Sequence, residues 1–339
     1  MARKISFRQA ITEALDQEMA RDKKIIVIGE DVVGGAGTDM KDEAWGGAFG
    51  LTSGLYAKYG SNRIMDTPIS ESAFIGAAVG AASAGYRPVV ELMFCDFLGV
   101  CFDQIYNQAA KFRYMFGGKA TTPVVIRTAI GAGLRAGSQH SQSLHPIFTH
   151  VPGLKCVIPS SPYEVKGLLI AAIRDDDPVV FCEHKALFDM TSDVPEEPYA
   201  IPLGEANYVR EGDDVTIVTH GLMVSRAMEV AARLEAGGID CEVIDLRTTS
   251  PLDEETILES AENTGRVVVI DEATPRCNIA GDISSLVNEQ LFGKLKAPVR
   301  RITAPHTPVP FSPALEDLWL PSNARIEQAI RETVAYGKT

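Results

Sequence analysis

Asp66-Thr-Pro-Ile-Ser-Glu-Ser-Ala-Phe-Ile-Gly-Ala-Ala-Val-Gly-Ala-Ala-Ser-Ala-Gly85 is the stretch on which the fold turns. Residues 63–66 read as a short strand, and from Ser70 a helix begins whose alanines and glycines let another backbone approach closely. The spacing predicts a buried, central helix over 70–85. Outward from it, strand and helix alternate. Ser6 and Gln9 stand at the spacing of a capping box, and Phe7, Ile11, Ala14, Leu15 and Met19 recur at helical spacing, predicting a first helix. A buried strand follows at 24–29, then a long glycine-rich loop at 34–54 carrying Trp45, of the kind that is usually functional or interfacial. Strands at 88–93, 123–127, 155–158 and 178–183 alternate with helices at 97–115 and 162–174, the pattern of a mostly parallel, doubly wound α/β unit. A second series, with strands at 215–219, 240–246, 266–271 and 299–303 and helices at 223–236, 253–263 and 279–292, predicts a smaller α/β domain. The chain has 339 residues, and single cores stop growing near ~250–300 residues. The expected division is 1–190, a linker at 191–204, and 205–339.

Composition narrows the classes of function. There are 45 acidic against 32 basic side chains, a net charge of −13, whereas binding a phosphate backbone needs a basic face that releases counterions. Nucleic acid is therefore not an expected partner. Apolar runs such as those at 25–28, 124–126 and 267–270 fall far short of the ~20 residues that span a bilayer, so no membrane is expected. No apolar stretch of a signal peptide follows MARKISFRQA, which points to the cytoplasm. Six cysteines, at 95, 101, 156, 182, 241 and 277, form no C-x-x-C pair and read as reduced core residues.

The common enzyme signatures are absent. Gly34-Gly-Ala-Gly37 lacks the G-x-G-x-x-G spacing and opens no helix, and no P-loop, G-x-S-x-G elbow, H-E-x-x-H or paired Cys/His site occurs. What remains is Asp66-Thr-Pro-Ile-Ser-Glu71, at a strand-to-helix turn where open α/β sheets place ligands. Glu71 is a candidate catalytic carboxylate, although position alone favours a residue that complements a helix dipole after the Ser70 cap. His140, in a Gly/Ser/Gln loop past a strand end, is a second candidate, although loop histidines are commonly solvated bystanders.

Ile28-Gly-Glu-Asp31, Asp66-Thr-Pro-Ile-Ser-Glu71, Glu91-Leu-Met-Phe-Cys-Asp-Phe97, Asp103-Gln-Ile-Tyr-Asn-Gln-Ala-Ala-Lys111, Gln139-His-Ser-Gln142, Pro152-Gly-Leu-Lys155, Asp245-Leu-Arg-Thr248 and Pro251-Leu-Asp253 together resemble the beta subunits of thiamine-diphosphate-dependent 2-oxo acid dehydrogenases over essentially the whole chain. The insert around Trp45, Ala132-Gly-Leu-Arg-Ala136 and Phe181-Cys-Glu-His-Lys185 are most similar to the acetoin-cleaving branch of that family. The resemblance implies a pyrimidine-binding domain on a parallel doubly wound sheet, followed by a transketolase C-terminal-like α/β domain. It also implies an α2β2 heterotetramer with thiamine diphosphate at the α/β interface and a lipoyl-bearing acyltransferase core as partner.

Residue by residue, it implies that Glu71 hydrogen-bonds the aminopyrimidine and favours the tautomer that takes a proton from the thiazolium carbon. It implies that Phe97 stacks on the pyrimidine, that His140 faces the reacting carbonyl and the lipoyl acceptor, and that Glu30 takes part in a proton path between two active sites. The G-D-G and Asn-Asn elements that hold the diphosphate and Mg2+ in this family are absent, since Gly281-Asp282 is followed by Ile283. The alpha subunit is therefore expected to hold Mg2+. Ala172-Ile-Arg-Asp-Asp-Asp177 places three carboxylates at a helix end, where the dipole disfavours them. The resemblance implies K+ at Val124, Ala172, Asp175 and Asp177, against the simpler reading of a solvated acidic helix end. The remaining histidines, 145, 150, 184, 220 and 306, are read as structural.

The expected activity is cleavage of acetoin to acetaldehyde, with transfer of the acetyl unit to lipoamide. Decarboxylation of pyruvate or a branched-chain 2-oxo acid is the near alternative, and a non-catalytic assembly subunit is the alternative from another class.

Overall fold

The computed structural model describes residues 3–34 and 45–337. Its strands are β1 (Arg3–Ser6), β2 (Ile25–Gly29), β3 (Ile64–Asp66), β4 (Arg87–Phe94), β5 (Val125–Ile130), β6 (Lys155–Val157), β7 (Val179–His184), β8 (Thr191–Val194), β9 (Asn207–Arg210), β10 (Val215–Thr219), β11 (Cys241–Asp245), β12 (Thr248–Ser250), β13 (Val267–Asp271) and β14 (Arg300–Thr303). Two larger sheets result, one in the order β12-β6-β7-β5-β4-β2-β3 and one in the order β14-β13-β10-β11-β9. All neighbours are parallel except β12 on β6 and β9 on β11. Parallel strands need crossovers, and the helices that supply them cover both faces.

The doubly wound character is written in adjacent residues of single strands, because successive side chains point to opposite faces. Ile25, Val27, Val89, Val125 and Val179 enter one core with the first helix, Phe7–Arg21, and with Pro162–Arg174. Ile26, Ile28, Val90, Ile126 and Val180 enter the other core, beneath the helix Glu71–Ser83. The second sheet repeats the scheme with Ile217 on one side and Val218 on the other. The capping box expected at Ser6 and Gln9 is formed in both directions.

Four expectations are corrected. Residues 97–115 are not one helix. A 3-10 turn at Cys95–Phe97 leads into Leu98–Asp103, a π-helical stretch Gln104–Ala109 and a last turn Phe112–Met115. The break falls at Cys101 (φ −120°, ψ 17°), and π segments are where a helix re-aims its side chains. Ser70 ends its strand-to-helix turn without capping the next helix through its side chain. The helix Glu71–Ser83 is not enclosed within this chain either, since Ser72, Ala73, Ala77, Gly80 and Ser83 are exposed. Residues 191–204 are more than a linker: Thr191–Val194 pairs antiparallel with Arg3–Ser6. Unanticipated elements include β9, β12 and the C-terminal helices Pro313–Trp319 and Asn323–Ala335. Part of the Trp45 loop, residues 35–44, lies outside the described residues.

The two halves are joined by more than the chain. β12, from the second half, extends the first sheet. Arg247 makes a bidentate pair with Glu164 at 2.9 Å, and Ser160 donates to Asp245. Among the described residues no helix is long and apolar enough to cross a membrane. Five cysteines are buried and unpaired, and Cys277 is exposed.

Candidate active site

The sheet order places β5, β4, β2 and β3 side by side, and the chain leaves their carboxyl ends toward His140, Phe97, Glu30 and Glu71 respectively. Four candidates scattered over more than a hundred positions therefore share one rim of one sheet, where open α/β folds bind ligands.

The rim is held open by exact local fits. Gly29, the last residue of β2, has no room for a side chain, because a Cβ there would lie 2.7 Å from Val32 and 3.0 Å from the Glu91 Cβ. Asp66, at the end of β3, accepts the Val33 N–H at 2.7 Å, and Thr67 donates to the Gly29 carbonyl at 3.0 Å, so the two turns that carry Glu30 and Glu71 are tied together. Glu71 is the first residue of its helix and is buried, at 8% exposure. It lies close enough to Glu30 that its charge is the second cause, after burial, that pushes the Glu30 carboxyl above its ordinary range, with Asp31 and Glu91 adding to it. Ser72 donates to the Val100 carbonyl, joining the start of Glu71's helix to the segment that follows Phe97.

His140 sits against two rings, edge to face with Phe94 at 4.8 Å and with Phe97 at 5.4 Å. Both it and Phe97 are half-buried. Its backbone carbonyl accepts from Lys185, whose ammonium also lies over the Phe94 ring at 5.1 Å and is made less basic by burial. Gln142, two residues on, is fixed by Asp96 at 2.8 Å. The far side of the loop is gripped by the second half of the chain. Glu316 accepts from the backbone of Gly133 (2.8 Å) and Arg135 (3.1 Å), and Ser138 donates to Val309 at 2.8 Å.

Sequence reasoning missed an ionic layer beneath this rim. Arg127 is fully buried, bidentate to Glu183 at 2.6 and 2.9 Å and 3.1 Å from Glu91. Each residue reads locally as a strand position, and only the register of β4, β5 and β7 brings them together. The histidines read as structural divide. His150 and His306 are exposed, whereas His145, His184 and His220 are buried beside Asp271 and Glu272.

At the expected potassium site, each acid already faces a base. Lys155 is 2.6 Å from Asp175 and 3.6 Å from Asp177, Arg113 pairs with Asp177, and Arg87 pairs with Asp176 at 3.1 Å. The Val124 and Ala172 carbonyls accept from the backbone of Val179 and Asp175. The dipole argument for a cation is thereby met from within the chain.

Comparison with known proteins identifies both halves of the chain. The transketolase pyrimidine-binding domain matches residues 3–190, and the transketolase C-terminal domain matches residues 204–326. The acetoin:2,6-dichlorophenolindophenol oxidoreductase subunit beta of Cupriavidus necator is 65% identical over the whole of both chains. The pyruvate dehydrogenase E1 component subunit beta of Bacillus subtilis is 44% identical, over 97% of this chain and 98% of its own. Among solved structures, a split-gene transketolase described as an inactive beta4 tetramer superposes with a TM-score of 0.76 at 23% identity, covering 98% of each chain, a likeness of fold. The chain belongs to the family of two-domain transketolase-type beta subunits that includes those of acetoin:2,6-dichlorophenolindophenol oxidoreductase and pyruvate dehydrogenase.

Proposed function

We propose that this chain is the beta component of a thiamine-diphosphate-dependent enzyme that cleaves acetoin to acetaldehyde and passes the acetyl unit to lipoamide on an acyltransferase core. The observation that carries the reading is the convergence of Glu71, Glu30, Phe97 and His140 on the ends of four neighbouring strands. When bound, thiamine diphosphate supplies a nucleophilic carbon that adds to a carbonyl. In this reading the buried Glu71 carboxylate holds the aminopyrimidine, Phe97 offers its ring face, Glu30 shares a proton economy with Glu71, and His140 exchanges protons with the substrate oxygen. Acetoin is favoured over a 2-oxo acid by 65% identity to the acetoin enzyme's subunit against 44% to the pyruvate enzyme's.

The diphosphate and Mg2+ fall to an alpha subunit, because this chain carries no G-D-G and Asn-Asn elements. The exposed small-residue face of Glu71–Ser83, together with exposed Tyr114, Met115 and Phe116, fits burial in an α2β2 assembly. Domains at 1–190 and 205–339 and a cytoplasmic location complete the reading. K+ at Val124, Ala172, Asp175 and Asp177 would take the second lone pair of each of the two carbonyls, beside the Asp175 and Asp177 carboxylates.

The test is co-purification with the alpha partner and assay of acetoin against pyruvate with thiamine diphosphate and an artificial electron acceptor. Turnover of acetoin alone is expected; preferential turnover of pyruvate would transfer the assignment to a 2-oxo acid.

A further inference from the structure

Outside the catalytic rim, three side chains from different parts of the chain meet in the interior. His145 follows the loop that carries His140, His220 follows β10, and Asp271 ends β13. The parallel pairing of β10 with β13 brings the last two next to each other. His145 and Asp271 have no exposed surface and His220 has 3%. The His145 Nε2 lies 3.2 Å from the Asp271 Oδ1, the His220 Nε2 lies 3.6 Å from the same oxygen, and the three ligand atoms fall within 4.8 Å of one another. The two imidazoles are perpendicular, with centroids 4.7 Å apart.

Neither contact meets hydrogen-bond geometry. Both ring nitrogens of His145, the His220 Nε2 and the Asp271 Oδ2 are buried without a hydrogen-bond partner. Leaving several buried polar atoms unpaired around one point is costly in a protein interior. A metal ion with bonds of about 2.0–2.1 Å in tetrahedral geometry sets its ligands about 3.3 Å apart, close to the 3.2 and 3.6 Å between the Asp271 oxygen and the two imidazoles; the imidazole nitrogens, within 4.8 Å of each other, would draw together on binding. We propose that His145, His220 and Asp271 form a divalent transition-metal site, suited to zinc, that clamps the catalytic loop onto the second domain.

Two imidazoles and one carboxylate are a donor set for zinc rather than for magnesium or calcium, which favour all-oxygen shells. The surroundings complete it. The Ala273 N–H donates to the Asp271 Oδ1 at 2.8 Å and fixes the carboxylate, as outer-shell donors fix metal ligands. Glu272, buried beside the cluster and paired with His184 at 2.7 Å, supplies a second negative charge, so a dication would be neutralised.

The test uses the full-length chain without added affinity histidines. It is stripped with a chelator, equilibrated with zinc chloride, desalted and analysed for metal, and in parallel loaded with cobalt(II) as a spectroscopic probe. One equivalent of zinc is expected, with visible cobalt bands of the intensity of a four-coordinate site. His220→Ala should lose that equivalent. Should its core fail to fold, His220→Cys retains a ligand and should add a thiolate charge-transfer band to the cobalt spectrum. A folded wild-type chain that takes up no zinc overturns the proposal. Undiminished zinc uptake by folded His220→Ala, or a cobalt spectrum unchanged in His220→Cys, places the metal elsewhere and fails it too.

Discussion

Replacing Glu71 by glutamine separates catalysis from folding. The side chain keeps its shape, and two stability terms oppose each other. Losing a carboxylate at the first position of Glu71–Ser83 removes a helix-dipole interaction of about 0.3–1 kcal/mol. Against this, the charge of Glu71 contributes to raising the Glu30 carboxyl, so its removal relieves repulsion and lets Glu30 return toward its ordinary range. A carboxyl raised by folding is destabilised where it must ionise, and this relief therefore acts above the usual carboxylate range, at neutral pH. The net change should stay within about 1 kcal/mol, a melting shift of no more than about 2–4 °C. Turnover of acetoin by the assembled enzyme should instead fall about 10²–10⁴-fold, as for a lost acid/base group, equivalent to about 3–5 kcal/mol in the barrier. The direct assay is hydrogen–deuterium exchange at the reactive carbon of bound thiamine diphosphate, followed by quench and NMR. Exchange in Glu71→Gln as fast as in wild type, with equal cofactor occupancy, would reduce Glu71 to a helix-start carboxylate and refute the assignment of the rim.

His140→Ala should leave cofactor affinity unchanged and slow acetoin turnover or lipoyl transfer about 10²–10⁴-fold; steady-state rates equal to wild type remove it from the mechanism. Arg127→Met leaves Glu91 and Glu183 buried without their counter-ion and should cost about 3–5 kcal/mol in denaturant unfolding, so a loss below about 1 kcal/mol would show that the layer is not held by charge. Burial raises the Asp245 carboxyl to about 7, against the hydrogen bond from Ser160. Wild type should therefore lose stability relative to Asp245→Asn as pH rises from about 4 to about 7, by about 4 kcal/mol at most, and a flat difference across that range contradicts it. Titration calorimetry should find tight, Mg2+-dependent thiamine diphosphate binding with the alpha subunit present and not with this chain alone.

The fold was legible because its signals are local. Alternation of buried strands with capped helices, such as Ser161 ahead of Pro162–Arg174, is contained in windows of ten to fifteen residues. Readings failed where side-chain contacts, local or tertiary, overrode the pattern. Residues 97–115 read as one helix, but Asp103 takes hydrogen bonds from both Asn107 and Gln108 within the π-helical stretch that follows. The small residues of 71–85 read as the mark of an enclosed helix, yet within this chain that face is open. β12 was invisible because three residues carry no period, and its place in the first sheet depends on the register with β6.

The site divides along the same physical line. Glu30, Glu71 and Phe97 follow strands that the pattern predicts, so the rule that ligands sit at carboxyl ends finds them. What orients His140 could not be read in this way. Arg135 adopts a positive φ of 58°, a conformation that costs an ordinary side chain energy, and it is stabilised there because Glu316 accepts both its N–H and its guanidinium while Asp317 takes the other amine at 2.7 Å. Those partners are about 180 residues away in sequence. The second domain therefore sets the geometry of a loop that the first domain supplies. Changes at Glu316 should accordingly act on His140 through the backbone of Gly133 and Arg135, without touching any residue on the sheet rim.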